Sequence, residues 1–157
     1  MHFYGPPDSE ASHWETPKTG PLTTKETISL PELRQKYKLK LDPCAAGAHN
    51  SCTKRFYTPE DDGLKQPWDD NFIMNPPGYS EDKIIEWLEK AVQEVRKHKV
   101  LGIGLLPSYT GAEWFQDYVL GGFSKAWFLI GRIKFWEYGV PSNKTPNFYS
   151  VLVFWKF

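Results

Sequence analysis

The chain has 157 residues, 40% of them hydrophobic and 16% aromatic, and its 19 basic and 19 acidic side chains leave a formal net charge of +0. That balance excludes fibrous and disordered classes. It also excludes a uniformly basic nucleic-acid binder, so contact with a polyanion has to rest on local patches: Lys36, Lys38 and Lys40; Lys54 and Arg55; Arg96, Lys97 and Lys99.

No apolar run approaches the roughly twenty residues of a membrane span, and the N-terminus lacks the basic and apolar regions of a signal peptide. Cys44 and Cys52, with His49 between them, form neither a disulfide framework nor a zinc motif. The expectation is an intracellular protein, in cytoplasm or nucleus, soluble and without metal or membrane contact. Assembly with itself or with another chain stays open.

Residues 1 to 13 include Gly5, Pro6 and Pro7 without periodicity and read as a flexible arm, followed by one domain over residues 14 to 157. From Leu30 a short helix is expected, with Ser29 as cap, Pro31 in the first turn and Leu33 and Tyr37 on one face. Lys38-Leu39-Lys40-Leu41 then alternates into Asp42-Pro43, a strand ending at a carboxylate. Lys54 to Thr58 reads as a second short strand before the acidic turn Pro59 to Gly63.

Phe72-Ile73-Met74 is a buried strand stopping at the rigid Asn75-Pro76-Pro77-Gly78. Glu81 to His98 carries the clearest helical stripe, Ile84, Ile85, Leu88, Ala91, Val92 and Val95, with Ser80 as cap, acids in the first turn and bases in the last. Val100 to Leu106 is strand-like and Ala112 to Leu120 helical. Strands at Ala126 to Ile130 and Arg132 to Trp136, a loop from Gly139 to Asn147 and a strand from Tyr149 to Trp155 complete the chain. The alternation of strands and helices predicts an α/β fold with a mainly parallel sheet.

Ligands of such sheets bind beyond the carboxyl ends of the strands. Three expected strands end there in Asp42 to Ala45, in the Glu60-Asp61-Asp62 turn and in Asn75 to Gly78. Together these would line one cleft suited to a ligand with an amino acid end and a ribose. Two prolines remove N–H donors and leave carbonyls free, while Asn75 adds an amide acceptor, so the Asn75 amide oxygen and the Pro76 carbonyl can hold the two N–H groups of an amine. Such a clamp acts by positioning and electrostatics, without a strong base.

Trp14-Glu15-Thr16-Pro17, Leu41 to Ala45, Asn50 with Cys52, Tyr57 to Leu64, Asn75-Pro76-Pro77, Leu105-Leu106-Pro107 and Gly131 to Phe135 follow one another in an order that resembles the phage-type DNA N-6-adenine methyltransferases. The resemblance covers about residues 14 to 155. It implies a compact Rossmann-like methyltransferase sheet with an antiparallel C-terminal strand, S-adenosylmethionine as cofactor and DNA as partner, with methylation of the exocyclic amino group of adenine. Thr16 and Pro17 correspond to an N-terminal cofactor motif, Asp42, Cys44 and Ala45 to the loop under the methionine part, and Asp61 or Asp62 to a contact with the cofactor's ribose or adenine. Asn75, Pro76 and Pro77 correspond to the amino-group clamp, and Arg132 to a contact with cofactor or nucleic acid.

One departure stands out. Such enzymes place an aromatic residue directly after the two prolines, to stack on the flipped base. Here that position is Gly78 and the aromatic is Tyr79, so either a bend at Gly78 brings Tyr79 into place or the platform is lost. With no separate domain expected for reading sequence, that task would fall to loops such as residues 1 to 13, 108 to 112 and 139 to 147 or to a partner, chiefly to Gly139 to Asn147, where Asn143 and Lys144 are candidate DNA contacts. Two rival readings fit the same residues: a methyltransferase acting on another planar amino group such as a protein glutamine amide, and an inactive binding subunit. A nicotinamide enzyme is disfavoured, because Gly102-Ile103-Gly104 lies inside a strand-like run instead of opening a helix.

Overall fold

A computed structural model describes residues 18–19, 29–78, 80–121, 124–133, 136–137, 140–141 and 146–157. Nine strands and three α-helices are found among them. The strands are β1 (Lys18–Thr19), β2 (Leu41–Asp42), β3 (Arg55–Phe56), β4 (Phe72–Met74), β5 (Gly102–Pro107), β6 (Ser124–Ile130), β7 (Trp136–Glu137), β8 (Val140–Pro141) and β9 (Ser150–Trp155), and the helices are α1 (Leu30–Tyr37), α2 (Glu81–His98) and α3 (Glu113–Tyr118). Seven strands form one sheet in the order β1-β6-β9-β5-β4-β2-β3, and β7 and β8 form a separate hairpin. The half containing β3, β2, β4 and β5 is parallel. The C-terminal strand β9 enters antiparallel between β5 and β6, and β1 adds a further antiparallel edge. The Rossmann-like α/β expectation with an antiparallel C-terminal strand therefore describes the molecule.

Local chemistry explains the helix ends. Ser29 and Glu32 form a reciprocal capping box, Pro31 occupies the first turn, and Lys38 closes α1 in the left-handed region at φ 52. Because Lys38 ends the helix, the strand expected from Lys38 begins only at Leu41. The second expected strand likewise shrinks to Arg55–Phe56, and Arg132 and Ile133 lie outside the strands, with β7 starting at Trp136. Ser80 is the N-cap residue of α2, although its side chain makes no capping hydrogen bond.

Both faces of the sheet are covered. Phe72, Met74, Leu106, Val151, Val153 and Trp155 pack against the α2 stripe of Ile84, Leu88, Ala91 and Val95. Ile73, Ile103, Leu105, Leu129 and Leu152 pack on the other face with Leu30 and Leu33 of α1. Burial on two faces is why β4, β5 and β9 read as continuous apolar runs. Gly102 and Gly104 serve this packing: an added Cβ would lie 2.4 Å from the Phe72 ring and 2.6 Å from the Trp155 ring. At the amino ends of the parallel strands, the Asn71 side chain donates to the Tyr37 carbonyl and accepts from the Leu101 N–H, joining α1 to the entry of β5.

One polar group interrupts the α2 stripe. Glu94 is buried, accepts from the Trp68 N–H and the Lys90 ammonium at 2.8 Å each, and lies 3.2 Å from His98 Nε2. Burial works against its ionisation, but the hydrogen bonds from Lys90 and Trp68 outweigh it and hold the carboxyl below its ordinary range.

Candidate active site

Adjacent parallel strands β2 and β4 end side by side, which brings the loop that opens at Asp42 against the turn that opens at Asn75 at one end of the sheet. Asp42 is fully buried, and both its oxygens are engaged: Oδ1 accepts from the Cys44 N–H at 3.1 Å and Oδ2 from the Cys52 N–H at 2.9 Å. Burial raises its pKa to about 6, against the opposing pull of the hydrogen bonds from Cys52 and Cys44. Asp42 therefore shapes the loop that follows it. Within that loop, the Asn50 side chain accepts the Gly47 N–H at 2.9 Å.

The Cys44 thiol donates to the Asn75 carbonyl at 3.2 Å. Burial, reinforced by the charge of Asp42, raises the thiol well above its ordinary range, so it stays a protonated donor. The loop after β2 is in this way joined directly to the Asn-Pro-Pro turn after β4. Asn75 is only 1% exposed, Pro76 is buried and Pro77 partly buried. Gly78 is exposed, with φ 70 in the left-handed region. Tyr79, the next residue, lies outside the described residues, as do Thr16, Pro17, Asn143, Lys144 and the arm of residues 1 to 13.

A cleft of about 340 Å³ opens beside this junction. Pro43, Cys44, Ala45 and Ala46 form one wall, and Thr58, Pro59, Asp62 and Gly63 the opposite one; Pro77 and Trp87 complete it. Its size is within the usual range for small-molecule sites, which begins at about 300 Å³. The two acids of the turn separate clearly. Asp61 folds its carboxylate back onto the Thr58 N–H and hydroxyl, which lower its pKa. Asp62, in the left-handed region at φ 54, lines the cleft and pairs with Lys65 at 2.7 Å.

Two members of the site escaped the sequence reading. Gly63 approaches the loop after β2 so closely that an added Cβ would lie 2.0 Å from the Pro43 carbonyl oxygen. Its own carbonyl accepts the Trp68 indole N–H at 2.8 Å. Trp87, on α2, stacks on Trp68 with ring centroids 5.9 Å apart and an interplanar angle of 22°. Its place beside the helical stripe, three residues after Ile84, was the available signal, but that signal points equally well to the core.

Arg132 is exposed, just beyond Gly131 where β6 ends. The registers of β6 and β5 against β9 put that end of β6 at the same end of the sheet as Pro107, and so as Asn75. Tyr109 and Phe148 meet edge to face at this end, 6.0 Å between centroids, and Tyr109 is 42% exposed. Among the described residues no group of His, Cys, Asp and Glu could hold a metal, and no helix is long and apolar enough to cross a membrane.

A family model described as DNA N-6-adenine-methyltransferase (Dam) matches residues 6–157. No curated protein matches the chain.

Proposed function

The chain belongs to the DNA N-6-adenine-methyltransferase (Dam) family, and on that basis we propose that it transfers a methyl group from S-adenosylmethionine to the exocyclic amino group of adenine in DNA. The observation that carries the reading is the hydrogen bond from Cys44 to Asn75, which ties the loop lining the cleft to the turn that would hold the amine.

The donor set of the cleft fits such a cofactor. Asp62, Trp87 and the loop over Pro43 to Ala46 line the cleft, and in this reading Asp62 would accept from ribose hydroxyls, the Trp87 ring would meet a flat purine and the loop would hold the amino acid end. Thr16 and Pro17 would complete the site on the strength of the family motif. When bound, S-adenosylmethionine supplies an electrophilic methyl group. The Asn75 amide oxygen and the Pro76 carbonyl would accept the two amino hydrogens of a flipped adenine and turn its nitrogen toward that methyl. Arg132, Asn143 and Lys144 are assigned to DNA contact, with the arm over residues 1 to 13 outside the catalytic domain.

The test is transfer of labelled methyl to mixed-sequence DNA, followed by digestion to nucleosides, with wild type beside Asn75→Ala. Label in N-6-methyladenine that vanishes in Asn75→Ala supports the clamp. Cofactor binding without any labelled DNA, single- or double-stranded, overturns the adenine assignment in favour of another acceptor or an inactive subunit.

A further inference from the structure

At the opposite end of the sheet, part of the face formed by β6 and β9 is left uncovered by α1 and the other described residues. A groove of about 500 Å³ lies there, lined by Tyr37, Trp127, Phe154, Lys125 and Lys156 together with Leu101 and Ser124. The three rings form a continuous series, Tyr37 to Phe154 at 5.2 Å and Phe154 to Trp127 at 4.9 Å between centroids. The Lys36 ammonium stands 5.5 Å from the Tyr37 ring and 5.8 Å from the Trp127 ring. No acidic side chain occurs among the described residues lining the groove. In a chain with a formal net charge of +0, three lysines around an aromatic floor form a local positive patch.

We propose that this groove is a second nucleic-acid site, binding an unpaired stretch of DNA away from the target base. The inference rests on the reading of DNA as substrate. Flat rings accept unpaired bases of any sequence, whereas a duplex presents its base faces only at its ends. Lys36, Lys125 and Lys156 supply the cations a phosphate backbone requires. The groove lies at the entry of β5 (Leu101) and the exit of β9 (Lys156), and the cleft lies beyond the carboxyl ends of β2 and β4. About six strand residues, roughly 20 Å, separate the two ends, too far for one flipped nucleotide to occupy both. DNA held in the groove is therefore flanking strand. The charge complementarity favours it over a second copy of this neutral chain.

The experiment is fluorescence anisotropy of a labelled twelve-nucleotide oligo(dT), which holds no adenine for the clamp, against the whole chain and its Lys125→Glu/Lys156→Glu and Trp127→Phe variants. Cofactor binding by calorimetry serves as the check on folding. The double charge reversal should weaken oligo(dT) binding at least tenfold and reduce the slope of log affinity against log salt by about 1.4. Trp127→Phe should retain binding within about threefold, and a duplex of equal length should bind less well. Unchanged oligo(dT) affinity in the double variant overturns the proposal, and so does a change of oligomeric state, measured by sedimentation, that accounts for the loss. Oligo(dT) binding lost in the double variant of a protein that methylates no DNA sustains the groove while the proposed activity fails. Methyl transfer with no oligo(dT) binding does the reverse.

Discussion

The Cys44 thiol and the Asn75 carbonyl, 3.2 Å apart, connect two loops that the sequence separates by thirty residues. The bond is buried, and loss of a donor to a buried carbonyl costs about 1 kcal/mol or more. Cys44→Ala should therefore lower stability by about that amount and reduce the rate of methyl transfer more than it reduces cofactor affinity. Cys44→Ser, which keeps a donor, should recover most of the rate. The check is single-turnover transfer beside calorimetric cofactor binding. Equal rates in the alanine and serine variants would show that the bond has no part in positioning Asn75.

Gly63 provides a sharper structural test. A methyl group there would meet the Pro43 carbonyl at 2.0 Å, and the obstacle is backbone that cannot swing aside. Gly63→Ala should push the two walls of the cleft apart, cost roughly 2 kcal/mol or more, and weaken cofactor binding at least tenfold. Thermal unfolding and calorimetry measure the two effects, and cofactor affinity within twofold of wild type would show that the walls are not coupled through this contact.

The fold was largely legible because its strongest signals are local. The stripe of α2, the capping box of Ser29 and Glu32, and the apolar runs of β4, β5 and β9 each follow from neighbouring residues. What could not be read depends on how the loops close and on contacts between distant residues. Asp42 reads as a carboxylate offered to a ligand, yet its partners are backbone N–H groups created by the return of the chain at Cys52. Asp61 and Asp62 are equivalent in sequence and separate only through the Thr58 turn and a left-handed residue. Glu94 interrupts an apolar stripe for the sake of Trp68, 26 residues away.

Asp42 also sets a pH dependence. Its folded pKa of about 6 lies above the value of 3.8 normal for aspartate. The folded state thus binds a proton that the unfolded state does not, and this contribution to stability is fully present below pH 3.8 and lost as pH rises through about 6. Between pH 7 and pH 5 the group should add about 1 kcal/mol. Asp42→Asn should lack this gain, so the difference in Tm between wild type and variant should move in favour of wild type on acidification. A difference independent of pH over that range would mean that Asp42 stays ionised.

The turn acids predict divergent phenotypes. Asp62→Asn should weaken cofactor binding about tenfold, the cost of a charge-assisted hydrogen bond to a ribose hydroxyl, with little change in stability. Asp61→Asn should lower the thermal midpoint slightly through the Thr58 turn and leave calorimetric cofactor affinity within about twofold of wild type.

The displaced aromatic leads to the last prediction. Gly78 stands where a ring is expected after the two prolines, and its φ of 70 lies in the left-handed region that glycine adopts without strain. The edge-to-face pair of Tyr109 and Phe148 stands at the same end of the sheet, with Tyr109 exposed. On the proposed function two rings are candidates to stack on the target base: Tyr79 by sequence and Tyr109 by its place at this end of the sheet. Loss of a stacking ring costs roughly 1 to 3 kcal/mol per base, so the residue that carries the base should, as alanine, lower kcat/KM for DNA by about 5-fold to 150-fold with cofactor affinity unchanged. If Tyr109→Ala shows that loss and Tyr79→Ala does not, the platform has moved from the proline turn to the loop after β5. The converse result places it immediately after Gly78.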